Sequence, residues 1–345
     1  MYKNFIRPLL FLLQPETVHH IIINFLKIGF KIPGIAYLVR KSFTLKNISL
    51  KTTFLGMEFD NPVGFAAGFD KNAEVYKQFS NFGFSFIEIG TVTPKAQPGN
   101  PKPRSFRVPK DKGLINRMGF NNKGVDYAVN QLKNNNHKVI IGGNIGKNSN
   151  TPNEEALNDY ITCFEKLYNY VDYFVVNLSC PNIKDLRKLQ DKDSTITILN
   201  KLTELRRLKS PYKPVLLKIS PDLTNDQLDD VIETFNITGI DGVVATNTTV
   251  SRDGLLTDKK RLEEIANGGL SGKPLNKRST EIIKYLTEKS KGTIPIIGVG
   301  GIMTVSDAIE KLNAGATLIQ IYTGFIYEGP AFVKRINKAL IKQRK

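Results

Sequence analysis

The feature that most constrains this chain is a rhythm. Strand-like runs recur at Val63–Ala67, Phe84–Thr91, Val139–Asn144, Tyr173–Leu178, Val215–Ile219, Gly242–Thr246, Pro295–Gly300 and Leu318–Tyr322. Helical patterns lie between them, for example over Glu155–Tyr170, Asp226–Phe235, Ser279–Ser290 and Val305–Asn313. Strands alternating with helices of this length imply βαβ units and a parallel sheet. Eight such runs point to a closed (β/α)8 TIM barrel. An open doubly wound sheet is the competitor, but no G-x-G-x-x-G follows the first run.

The segment before the first run has a different texture. Phe5 to Leu13 is apolar but broken by Arg7 and Pro8, and too short to span a bilayer. No small-residue cleavage site follows, which argues against a secretory leader. Pro15 and Glu16 favour a helix start, and Val18, Ile21, Ile22, Phe25 and Leu26 form one apolar stripe. Ile23 and Ile28 lie off that stripe, and Lys3, Arg7, Lys27, Lys31, Arg40 and Lys41 surround it. This pattern fits either a helical hairpin capping a barrel or an arm dipping into the lipid interface. The expected division is an amphipathic helical arm over residues 1–47 and a barrel over 48–345, opening with a hairpin from Ile48 to Phe59.

Composition narrows the chemistry. The net charge is +17, but it is mostly lysine scattered over all 345 residues, a pattern of solvated surface rather than of nucleic-acid binding. Cys163 and Cys180 form neither a disulfide framework nor a zinc spacing, so a reducing compartment is expected. With three histidines, two of them adjacent at His19 and His20, no metal site is expected.

In a barrel of this kind chemistry gathers where the strands end. Those ends carry Ala67-Gly-Phe-Asp-Lys71, Thr91, Asn144, Asn177, Lys218, Thr246-Asn-Thr248, Gly300-Gly301 and Tyr322-Thr-Gly324. Glycines after runs seven and eight, with Gly268–Gly272 as a third loop, leave backbone N–H groups for a phosphate. Lys71 and Lys218 add two cations at the mouth, suited to an anionic cofactor or a carboxylate substrate. Asn177, Ser179, Cys180 and Asn182 crowd the turn after run four. A thiol flanked by carboxamides is poorly suited to a core, and it titrates close enough to neutrality to accept a proton.

These residues fall into motifs that resemble the dihydroorotate dehydrogenases, most closely the quinone-dependent, membrane-associated class. The motifs are Ala66-Ala-Gly-Phe-Asp-Lys71, Gly90-Thr-Val-Thr-Pro94, Asn116-Arg-Met-Gly-Phe-Asn-Asn122, Asn144-Ile-Gly-Lys-Asn148, Asn177-Leu-Ser-Cys-Pro-Asn182, Thr246-Asn-Thr-Thr249 and Gly268-Gly-Leu-Ser-Gly-Lys-Pro274. The resemblance implies FMN across the barrel mouth, with its phosphate on Gly272, Gly301, Tyr322 and Thr323. Ala67, Gly68, Lys71, Thr91, Asn144, Asn177, Lys218 and Thr246 would hold the rest. It implies dihydroorotate, oxidised to orotate in pyrimidine biosynthesis, on Lys71, Asn116, Arg117, Met118, Gly119, Phe120, Asn177, Asn182, Asn247 and Thr248. Cys180 falls on the catalytic base position. Arg107, with Tyr322 close by, matches the arginine beside the quinone path, and the arm becomes a peripheral anchor on the cytoplasmic face of the membrane. A monomer is implied.

One residue departs from the pattern. The quinone-dependent class usually has Ser where Cys180 stands, whereas Cys is typical of the soluble class that uses fumarate or NAD. The soluble class lacks the arm, so the quinone reading is kept. Two rivals remain: a flavin barrel acting on transfer RNA, which lacks a basic docking domain here, and a non-catalytic membrane-bound ligand-binding protein. The segment Ile183–Asp193 reads as a lid.

Overall fold

A computed structural model describes residues 2–133, 139–179 and 191–343. Its centre is a closed barrel of strands β1 (Val63–Phe65), β2 (Phe86–Val92), β3 (Ile140–Ile145), β4 (Tyr173–Asn177), β5 (Val215–Ile219), β6 (Gly242–Ala245), β7 (Ile296–Val299) and β8 (Leu318–Ile321). Each strand pairs in parallel with its neighbour in the chain, and β8 closes on β1 through Ile319 opposite Val63. The expected barrel is therefore present: most strands are a residue or two shorter than the apolar runs, β5 coincides with its run, and β2 and β3 end one residue later.

Period-two alternation assigns the two faces of each strand. Ile87, Ile141, Phe174, Val176, Leu217, Val243 and Ile319 belong to the larger cluster that packs beneath the helices. Phe86, Tyr173, Val175, Leu216, Val244, Ile297 and Leu318 fill the interior, together with Phe54 and Phe59 from the Thr52–Phe54/Met57–Phe59 hairpin. The interior positions nearer the strands' C-terminal ends are polar: Glu88, Asn144, Asn177, Lys218 and Gln320, all buried. Register sets Asn177 of β4 directly opposite Lys218 of β5.

A second, antiparallel sheet lies beyond those ends. Gly113–Asn116 is its central strand, flanked by Ser105–Val108 and Gly269–Gly272. It delivers the Asn116–Phe120 segment to the barrel mouth.

Before the barrel a π-helical segment, Tyr2–Ile6, leads into three α-helices, α1 (Arg7–Phe11), α2 (Pro15–Gly29) and α3 (Ile35–Phe43). Pro15 occupies the first turn of α2, where its missing N–H costs nothing, and Glu16 favours the same end. The apolar residues of α2 divide between two faces. Ile23 and Leu26 are buried, whereas Ile21, Phe25 and Ile28 are exposed. Ile23, which lies off the sequence stripe, thus faces the protein, and two members of the stripe face outward. Leu9, Leu12, Ile32, Tyr37 and Leu38 extend the exposed apolar surface. No single helix among the described residues is long and apolar enough to cross a membrane.

Candidate active site and its adjoining tunnel

The C-terminal ends of the strands open into a cavity of about 400 Å3 that continues between the barrel and the arm. Of the residues singled out in the sequence, Ala67, Gly68, Lys71, Thr91, Arg107, Asn116, Met118, Gly119, Phe120, Asn177, Lys218, Thr246, Asn247, Thr248, Gly272, Gly301, Tyr322 and Thr323 line it. Asn144 stands directly behind this surface, and Arg117 points away. Its guanidinium donates to the carbonyls of Ile265, Asn267 and Pro103 and lies over the Phe106 ring. Cys180 and Asn182 lie outside the described residues, as does most of Ile183–Asp193. The end of that segment leads into a helix, Lys192–Arg207, capped by Asp191.

The polar floor of the cavity is one connected network. Thr91 Oγ1 donates to Asn144 Oδ1 at 2.5 Å, and Asn144 Nδ2 donates to Glu88 Oε1 at 2.7 Å. Gln320 Nε2 reaches the other Glu88 oxygen at 2.6 Å, and Lys218 Nζ lies 3.6 Å from Glu88. An isolated carboxylate buried this deeply would cost several kcal/mol, which these partners offset. Asn177 Nδ2 meets Thr91 Oγ1 at 3.0 Å, and Asn247 Nδ2 meets Asn177 Oδ1 at 3.3 Å and Ser179 Oγ at 3.1 Å. Amides held in this way present fixed donors and acceptors to a planar ligand.

Gly300 and Gly301 after β7, Gly272 at the end of the antiparallel strand Gly269–Gly272, and Thr323 after β8 form a cradle in the same cavity. A Cβ on Gly301 would lie 2.3 Å from the backbone N and Cα of Asn276, and its φ of +70° belongs to the left-handed region. A Cβ on Gly272 (φ +98°) would meet the Lys112 carbonyl at 2.3 Å. Among the described residues no protein acceptor takes the Gly301 N–H. Thr323 begins the short helix Thr323–Glu328 and hydrogen-bonds Ser271 across the cradle at 2.8 Å. Free N–H groups packed too tightly for any side chain suit a compact anion.

The apolar half of the cavity is supplied by the arm. Val18, Ile22 and Leu26 of α2 and Leu10 and Phe11 of α1 face Phe79, Phe82 and Phe325 of the barrel, while exposed Phe25 stands at the outer rim. Polar latches hold these walls. Arg104 grips Glu16 at 2.7 Å, Lys27 pairs with Glu74 at 2.8 Å, and Tyr2 Oη donates to the Ile326 carbonyl at 2.6 Å. Arg107 donates to the Leu13 carbonyl and lies over the Phe11 ring, so it joins the arm to the cavity wall.

Three functional positions escaped the sequence reading. His19 Nε2 lies 2.8 Å from the Phe69 carbonyl, and burial with the nearby Lys71 charge brings its pKa down to about 3. It is therefore a neutral donor that ties α2 to the loop carrying Lys71. Burial and the Arg104 charge bring Lys71 down to about 8, against the opposing carboxylates of Glu16 and Asp70. Arg104 also donates to the carbonyl of Asn100, which in turn holds the backbone of Met118 and Arg117. Glu88 is the third. A lone acid inside Phe86-Ile-Glu-Ile89 was its available signal.

Fold and site together define a (β/α)8-barrel protein with a glycine cradle and a polar floor, joined to an apolar tunnel under a helical arm. A family model described as dihydroorotate dehydrogenase matches residues 49–343. A protein of Christiangramia forsetii named dihydroorotate dehydrogenase (quinone) is 55% identical over 99% of each chain. One of the same name from Idiomarina loihiensis is 46% identical, covering 96% of this chain and 98% of its own. The crystal structure of DHODH from Eimeria tenella in complex with ferulenol superposes with a TM-score of 0.86 at 34% identity, covering 95% of this chain and 91% of that one. The chain belongs to the dihydroorotate dehydrogenase family.

Proposed function

We propose that this protein oxidises dihydroorotate to orotate with FMN as its redox cofactor, and that the electrons leave to a membrane quinone. The observation that carries this reading is the single cavity joining a polar floor and an anion cradle to an apolar tunnel under the arm. The residues present fit FMN. At Gly272 and Gly301 a Cβ would strike the Lys112 carbonyl and the Asn276 backbone, the Gly301 N–H has no protein acceptor among the described residues, and Tyr322 and Thr323 adjoin them in the cavity wall; Ala67, Gly68, Thr91, Asn177, Lys218 and Thr246 line the space beside them, with Asn144 behind Thr91. When bound, FMN supplies the hydride-accepting and electron-transferring chemistry that side chains lack.

The chain's own groups do the rest. Lys71 offers an ammonium to the substrate carboxylate. Asn116, Asn177, Asn182 and Asn247, with Thr248 and the Met118–Phe120 backbone, pair with the pyrimidine's amides and close over it. Arg117 serves this loop from behind, through its bonds to 265–267, rather than by touching substrate. Cys180 takes the proton from C5 as the hydride leaves C6. A thiol is more acidic than the hydroxyl usual at this position, so it is no weaker a candidate for reaching the basic form.

Residues 1–47 act as the quinone arm and residues 48–345 as the catalytic barrel. Arg107 and Tyr322 flank the passage between them. Exposed Leu9, Leu12, Phe25, Ile28 and Leu38, with Lys3, Lys31 and Lys41 in the same segment, suit a peripheral seat on an anionic lipid surface. The purified full-length protein should be yellow, lose its flavin absorbance anaerobically on addition of dihydroorotate, and regain it on addition of quinone. Cys180→Ala should stay yellow but bleach slower by orders of magnitude. Bleaching at the wild-type rate would remove Cys180 from its assigned role.

A further inference from the structure

One buried ammonium in the barrel has no part in the chemistry above. Lys311 lies on the helix Val305–Asn313 and is fully buried against the helix Asn276–Lys289. Its Nζ donates to Ser279 Oγ at 2.5 Å, to Thr280 Oγ1 at 2.9 Å and to the Asn276 carbonyl at 3.3 Å. A buried lysine is costly, and uncharged residues of similar volume would pack these two helices as well. Two of these partners reach on toward the barrel mouth, although Ser279 Oγ also has the Asn276 carbonyl at 3.1 Å and Thr280 Oγ1 donates back to that same carbonyl at 2.9 Å. Ser279 Oγ donates onward to the Gly300 carbonyl at 2.9 Å, and Asn276 Nδ2 donates to the Gly301 carbonyl at 3.2 Å.

Those two carbonyls belong to the cradle after β7. In a trans peptide the C=O and the following N–H point in opposite directions. Drawing the Gly300 carbonyl back toward Ser279 therefore turns the Gly301 N–H the other way, toward the cavity that Gly300 and Gly301 line. Holding the Gly301 carbonyl does the same for the N–H of Ile302, which also lines the cavity and meets no protein acceptor among the described residues.

We propose that Lys311 is a positioning residue for a phosphate in this cradle, its ammonium fixing the two glycine peptides through Ser279 and Asn276 so that their following N–H groups face the anion. Its positive charge lies one hydrogen-bond relay behind the site and adds to the field of the N–H groups. Burial brings its pKa down to about 7 against the opposing carboxylates of Asp307 and Glu310, so an anion bound in front would favour its charged form.

This inference rests on the FMN reading, and the two are separable because riboflavin is the same ring without the phosphate. Full-length wild type, Lys311→Met and Ser279→Ala are depleted of flavin and titrated with FMN and with riboflavin, following quenching of flavin fluorescence. Wild type should prefer FMN. Each variant should lose about tenfold or more in FMN affinity while riboflavin affinity stays within about twofold, as expected when an anion loses aligned donors. Equal weakening for both flavins would mark Lys311 as merely structural, and an unchanged FMN preference in a folded variant would also overturn the proposal. Should Lys311→Met fail to fold, Ser279→Ala decides by the same ratio. A wild type with no preference for FMN would instead defeat the cofactor reading.

Discussion

Lys71 shows how a single residue's surroundings become a measurable pH dependence. Its pKa of about 8 lies below that of an ordinary lysine because the charged form is buried beside Arg104. The ammonium is present below that value and lost above it, so carboxylate binding should weaken as the pH rises through about 8. The dissociation constant of orotate, whose binding involves no proton abstraction, should climb above pH 8 in wild type and show no such step in Lys71→Met. A step persisting in the variant would assign it to another group. Gly301 gives a second test at this scale. Gly301→Ala places a methyl 2.3 Å from the Asn276 backbone at a φ of +70°, so the purified variant should carry clearly less flavin per chain than wild type.

Among the elements, the arm is the one whose role depends on how it is held. Glu74 is brought down to about 2: burial works against it, but hydrogen bonds from Lys27, Tyr127 and Lys123 outweigh that. Glu16 is likewise lowered, with burial opposing and Arg104 prevailing. Carboxyls held below their unfolded values stabilise above those values and lose the contribution as pH falls through their folded ones. The arm should therefore stay docked across the neutral range and become sensitive to limited proteolysis only in acid, below the usual carboxylate range. His19, neutral at any pH above about 3, should add no step near pH 6.5. The two faces of α2 are also separable. Ile21→Glu with Ile28→Glu, both exposed and outside the cavity lining, should lower binding to anionic vesicles while reduction of a short, water-soluble quinone is retained. Removing residues 1–45 should abolish both. If the truncated protein folds and still reduces that quinone normally, the arm has no part in the acceptor site.

At the level of the whole molecule, the barrel was legible because its strands are continuous β-branched and aromatic runs, a signal that needs no knowledge of distant residues. Several ends were overestimated: the runs reach Ala67, Thr246 and Tyr322, one or two residues past the last paired positions Phe65, Ala245 and Ile321. The antiparallel sheet was not legible. It pairs Gly113–Asn116 with Gly269–Gly272 across more than half the barrel, and short glycine-bearing strands carry almost no local signal. The cavity-lining positions that were found sit mostly at strand ends and in the glycine loops. His19 and Arg104, which were missed, act from the arm and from a loop, His19 in the cavity wall and Arg104 behind it, through contacts that only tertiary structure creates. Arg117 was misplaced for a related reason: its motif lines the cavity, but its own side chain turns outward to stack on Phe106.

The central claim is that this cavity takes electrons from dihydroorotate at one end and delivers them to a lipid-soluble acceptor at the other. It is tested most directly by steady-state dihydroorotate oxidation by the full-length protein on anionic vesicles, with quinone, fumarate and NAD offered separately. Turnover with quinone, and little or none with fumarate or NAD, is the expected result. Turnover with fumarate or NAD that quinone fails to match would contradict it, and would show that Cys180 rather than the arm marks the acceptor.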